Sequence, residues 1–122
     1  MKLSGDFFNV DSADGQRFTV TLNADHYIYR AHFPGHPVTP GVCLVQMVQE
    51  LLAQSLGCGL FLRTVKNVKF VSIVSPLTDA KIAVNVTKLN VDEGQVTAQA
   101  QIVSAADSAR LFAKMSLVFE RI

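Results

Sequence analysis

Clustered positive charge is missing from this chain. Its 11 Lys and Arg against 10 Asp and Glu leave a formal net charge of +1, and the cations stand singly rather than in runs. Nucleic-acid binding depends on grouped cations that neutralise phosphates, so that partner class is set aside. Cysteine is scarce too: Cys43 and Cys58 offer no disulfide framework, and reduced thiols in a cytoplasmic protein are expected. No apolar run is long enough for a bilayer. The longest, Val42 to Leu56, is interrupted by Glu50 and three glutamines, so no membrane span is expected. The start, Met1-Lys2-Leu3-Ser4-Gly5-Asp6, has no apolar core of secretory-signal length and reaches an acid almost at once. Repeats, linkers and low-complexity tracts are likewise absent, and 122 residues suit a single domain, 1–122, with one core.

What is present is a strongly apolar composition, 49% hydrophobic and only 17% charged, which implies a large interior or an interface. Phe7 to Asp11, a turn at Ser12-Ala13-Asp14-Gly15, and Gln16 to Leu22 read as a β-hairpin. Phe18, Val20 and Leu22 alternate with Arg17, Thr19 and Thr21, so one face is buried and the other wet. Asn23 to Arg30 reads as a connection. A helix is expected from Pro40 or Gly41 to Leu56, stopped by Gly57-Cys58-Gly59. Ten of its fifteen residues after Gly41 are apolar, leaving a narrow polar stripe of Gln46, Glu50 and Gln54 with Gln49 beside it. Such a helix must be covered on most sides. Strands expected at Val65–Val74, Ala80–Leu89, Gln95–Val103 and Arg110–Arg121 can supply the cover. Turns come at Ser75-Pro76, Asp92-Glu93-Gly94 and Asp107-Ser108. That order predicts an α+β fold: a curved antiparallel sheet of five to six strands around one long central helix.

Three of the four prolines fall in His32-Phe33-Pro34-Gly35-His36-Pro37-Val38-Thr39-Pro40-Gly41, just ahead of the helix. Proline fixes φ and restricts its predecessor, so this loop is stiff. A stiff loop that aims the imidazole of His32 toward a helix N-terminus suits proton abstraction beside a carbonyl. Free N–H groups at Pro40-Gly41-Val42 and the positive end of the helix dipole favour a developing oxyanion. Plainer readings stand beside this one. His32 can merely pack within a turn, and Pro-Gly often does no more than start a helix. His32 and His36 have metal-pair spacing, but Pro34 and Pro37 forbid a helix between them and no third ligand is near in sequence. His26 reads as structural.

The segment from His32 to Val42 closely resembles the active-site motif of the β-hydroxyacyl-acyl-carrier-protein dehydratases. Cys43 to Ala53 is similar to that family's central helix, and Val68-Lys69-Phe70-Val71, more weakly, to its following strand. The resemblance implies the hot-dog fold and a homodimer or higher even oligomer, with sites between protomers. It also implies a 3-hydroxyacyl substrate carried on the phosphopantetheine of an acyl carrier protein, with no cofactor of the enzyme's own and no metal. His32 then removes the C2 proton, the Gly41 N–H polarises the thioester carbonyl, and Phe33, Pro40, Val42 and Glu50 line the substrate. The His32-Phe33 peptide is often cis in the family. A carboxylate is expected fourteen residues after the histidine, and here that position is Gln46. An amide orients a hydroxyl or a water but is no carboxylic acid. Glu50, one turn on, either acts through a water or is only solvated. Three readings follow: a dehydratase with Gln46 as a hydrogen-bonding substitute; an accessory subunit that pairs with a carboxylate-bearing relative; and a thioesterase using Glu50. Arg30, Arg63, Lys66 and Lys69 are candidate contacts for an acidic carrier.

Overall fold

The computed structural model describes residues 2–31 and 35–122. Strands β1 (Phe8–Asp14) and β2 (Arg17–Leu22) form the expected hairpin. A short helix α1 (Tyr27–Ala31) precedes the long helix α2 (Gly41–Leu56), and β3 (Leu60–Phe70), β4 (Lys81–Val91), β5 (Gln95–Ser104) and β6 (Leu111–Arg121) complete the chain. All six strands join one sheet in the order β1-β2-β4-β5-β6-β3, and every neighbouring pair is antiparallel. This is the hot-dog arrangement, with α2 as its filling.

The helix is held by what its sequence offers. Cys43, Leu44, Met47, Val48, Leu51 and Leu52 are buried against the sheet, where Phe112, Leu117 and Phe119 are fully enclosed. Gly57 ends it in the left-handed region at φ 68°, and its N–H donates to the Ala53 carbonyl at 2.9 Å. A side chain there would strain, which is why glycine stands at this stop. Gln49 Nε2 donates to the Leu60 carbonyl at 2.7 Å and ties the helix to the start of β3.

Three boundaries differ from the sequence reading, each for a local reason. Ser12 to Asp14, expected within the hairpin turn, instead extend β1 by pairing with Thr19, Phe18 and Arg17, and Gly15 at φ 61° makes the turn. Asn23 to Arg30 is not all connection. The His26 carbonyl accepts from the Tyr29 N–H at 3.0 Å and the His26 Nδ1 accepts from the Ile28 N–H at 3.1 Å, so the first turn of α1 has its acceptors at hand. The strand expected over Val65–Val74 begins and ends earlier. Leu60 is buried directly after the helix stop, and from Val71 the chain leaves the sheet, so that the Val74 carbonyl accepts from the Thr39 N–H at 2.8 Å. That departure brings residues 71–74 beside the opening of α2.

Candidate functional site

Pro40 caps α2 in an extended conformation (φ −60°, ψ 142°) with no side-chain capping bond. Gly41 and Val42 therefore open the helix with N–H groups that have no intrahelical acceptor. The Cys43 N–H is already taken by the Pro40 carbonyl at 3.0 Å. Beside this opening lies a cavity of about 300 Å³, lined by Val38, Thr39, Gly41, Leu44, Phe70 and residues 71–74. Its wall is mainly apolar, suited to an acyl chain or the apolar part of a thioester. A larger hollow of about 510 Å³ lies near the other end of β3, around Arg63, Asp92, Gln95 and Glu120, and its solvated polar wall holds no such set of donors.

Gly41 has a packing reason as well as the expected chemical one. A Cβ there would lie 2.5 Å from the Phe70 Cζ, so the aromatic ring occupies the space that any other residue would fill. Phe70 is half exposed and forms part of the cavity wall. Val42, in the first turn, is 74% exposed, and Pro40 is half-buried. His36 is exposed on the loop. His32 and Phe33 lie outside the described residues, and so does the peptide expected to be cis.

The polar stripe of α2 is committed to the protein itself. Glu50 Oε2 accepts from the Leu3 N–H and Oε1 from the Ser4 N–H, both at 2.8 Å. Gln46 Nε2 also donates to Glu50 Oε2 at 2.8 Å, and Gln54 Nε2 donates to Ser4 Oγ at 3.1 Å. The expectation that Glu50 is merely solvated is therefore corrected: its carboxylate receives two main-chain amides and one side-chain amide. A carboxylate holding three donors has little acceptor capacity left to activate a water. The stripe thus fastens residues 3 and 4 across the helix, where Leu3 is fully buried.

Two hydroxyls that the sequence did not single out meet behind the cavity. Tyr29 Oη and Thr39 Oγ1 lie 2.9 Å apart, and both residues are buried. Burial pushes the Tyr29 phenol up to about 12, against the lowering effect of its bond to Thr39. Burial likewise raises the Cys43 thiol in the first turn of α2. His26 is buried, with Phe7 edge-on at 5.2 Å and Nε2 3.3 Å from Asp6 Oδ2, in line with its structural reading. Of the cations considered for a carrier, Arg30 donates to the Asp25 carbonyl at 2.9 Å and Arg63 pairs with Glu120 at 3.1 Å.

Comparison with known proteins agrees with this geometry. A 3-hydroxyacyl-acyl-carrier-protein dehydratase FabZ of Lactiplantibacillus plantarum is 31% identical over 97 residues, covering 72% of this chain and 66% of the relative. The FabZ of Rickettsia africae is 42% identical over 65 residues, 47% of this chain and 43% of the relative. The chain thus spans less than two thirds of the length of these relatives. Among solved structures, the dehydratase heterocomplex ApeI:P from Xenorhabdus doucetiae is similar with a TM-score of 0.62 at 19% identity, covering 93% of this chain and 95% of that one. The thioesterase HI1161 from Haemophilus influenzae has a TM-score of 0.64 at 20% identity, covering 94% of this chain and 78% of that one. At such identities these two speak for the hot-dog fold. The model of the ApeI-like family, described as ApeI dehydratase, matches residues 9–109, and the chain belongs to that family.

Proposed function

We propose that the protein eliminates water from a 3-hydroxyacyl thioester presented by an acyl carrier protein, giving the trans-2-enoyl thioester. The observation that supports this most directly is the mainly apolar cavity lined by Gly41, the first residue of α2, and by Val38 and Thr39 of the proline loop that leads into it. His32 takes the C2 proton. The carbonyl oxygen gathers charge toward the Gly41 N–H, the C3–O bond breaks, and the hydroxyl departs as water with the proton that His32 took from C2. Gln46 orients that hydroxyl but has no acidic proton to give. The substrate brings its own phosphopantetheine arm, and the reaction is cytoplasmic.

A second reading has its own support: the chain works as one subunit of a pair. Strand β3 is an eleven-residue sheet edge on which Phe61, Val65 and Phe70 are 56%, 43% and 50% exposed. Such an edge, with these apolar side chains exposed beside Arg63, Lys66 and Lys69, suits pairing with a second chain of complementary charge. Glu50 is occupied by the N-terminal amides, which weakens both its use as a replacement acid and the thioesterase alternative. A related subunit carrying a carboxylate at the position of Gln46 would restore the missing proton donor. Both readings are tested by one assay on purified protein, alone and with such a relative, measuring enoyl formation and free-thiol release from a 3-hydroxyacyl carrier substrate. Enoyl product from the homo-oligomer supports the first, and product only from the mixture supports the second. Turnover that survives His32→Ala, or thiol release without enoyl product, defeats the dehydratase proposal.

A further inference from the structure

A buried side-chain bond joins the two ends of the segment that carries the proposed base. Tyr29 stands three residues before His32, and Thr39 stands two before Gly41. Their hydroxyls meet at 2.9 Å in a buried setting, with Tyr29 2% and Thr39 5% exposed. Each partner is itself anchored. The Tyr29 ring stacks on fully buried Phe7 at 5.0 Å and 21°, and its N–H donates to the His26 carbonyl at 3.0 Å. The Thr39 N–H donates to the Val74 carbonyl at 2.8 Å, in the strip of chain that forms the cavity wall. One end of the bond is therefore fixed to the N-terminal core, and the other to the donor end of the site.

We propose that Tyr29 and Thr39 are positioning residues, a hydroxyl clamp that sets the spacing between the entry to the His32 loop and the N–H groups opening α2. This rests on the dehydratase reading for its consequence in turnover, but the clamp itself is a property of the described residues. An imidazole and an oxyanion donor on opposite sides of one loop must hold their separation throughout the reaction. A misplacement of about 1 Å can cost on the order of a hundredfold in rate. Proline lacks the N–H, so positions 34, 37 and 40 donate no main-chain hydrogen bond across this loop. A buried bond between two hydroxyls adds such a constraint at the base of the loop.

The test uses Tyr29→Phe and Thr39→Val, which remove one hydroxyl each and nearly preserve shape, with Thr39→Ser as the conservative control. Wild-type protein, with the related subunit if that is needed for turnover, sets the reference. The expected result is a kcat about tenfold lower in each single variant with KM within twofold. The double variant should be no worse than either single one, and Thr39→Ser should lie near wild type. Wild-type kcat in both single variants, additive losses in the double variant, or a change confined to KM overturns the clamp. Amide hydrogen exchange provides a readout free of activity. Exchange at residues 35–44 should accelerate in Tyr29→Phe while β4 and β5 stay protected. Uniform acceleration, or none, overturns the clamp even if the protein proves to have no turnover, an outcome that would count against the dehydratase reading alone.

Discussion

Replacing Gln46 by glutamate restores the carboxylate that the family motif expects, and the structure says what it will cost. Gln46 Nε2 donates to Glu50 Oε2 at 2.8 Å, so Gln46→Glu exchanges an attractive contact for two carboxylates at nearly the same separation. A hydrogen bond to a charged group contributes about 1.5–3 kcal/mol. Two like charges about 4 Å apart repel by about 4 kcal/mol at an effective dielectric of 20. Both side chains are half-buried, and the new carboxylate can turn toward water, so the net loss at pH 8 should be about 2–3 kcal/mol. Like charges this close also share a proton, which raises the upper pKa of the pair. A carboxyl whose pKa is raised by folding destabilises the fold above that pKa and not below its unfolded value near 4.3. The deficit should therefore shrink as pH falls from 8 toward 5. Urea unfolding of Gln46→Glu and wild type at both pH values measures this, and the same samples show whether enoyl formation rises. A variant as stable as wild type at pH 8, or equally impaired at both values, would refute the reasoning.

Gly41→Ala should lose about 1–3 kcal/mol, the usual range for overpacking, because its methyl would sit 2.5 Å from the Phe70 ring. Most of that loss should return in the Gly41→Ala, Phe70→Ala double variant, as a thermal-melt cycle would show; full additivity would argue against the contact. The Tyr29 phenol, pushed up to about 12, should stay protonated well past pH 10, read as absorbance at 295 nm in a Tyr27→Phe background. Its folded pKa is raised, so the stability linked to it is complete below about pH 10 and is lost as pH rises through about 12. Ionisation of native protein near pH 10 would contradict the burial.

Much of the architecture was legible because it follows from periodicity and punctuation. The limits of α2 were set by Pro40-Gly41 and Gly57, and β4, β5 and β6 by alternation between well-marked turns. The candidate site could be named from the sequence only where its residues lie in one contiguous motif. Tyr29, Thr39 and Phe70 act through contacts between distant segments, and nothing in local spacing marks them. Glu50 illustrates the same limit: its position on the polar stripe was plain, but its partners, the Leu3 and Ser4 amides, lie 47 and 46 residues away. The early end of β3 had a similar cause. Val71 to Val74 keeps an apolar strand-like composition, but the Val71 and Ser72 N–H groups share the Phe112 carbonyl, which breaks the ladder, and the Val74 carbonyl turns to Thr39.

The position of β3 also orders events during biosynthesis. Among the described residues its neighbour in the sheet is β6, which joins Leu60 to Arg121 and Phe70 to Ala113, so it gains no ladder until β4, β5 and β6 have all been made. Contacts of such wide sequence separation form late, after their loop entropy is overcome by the rest of the fold. Until β6 is in place, β3 has no ladder to hold it, and Phe61, Val65 and Phe70 lie on a strand that is fixed late.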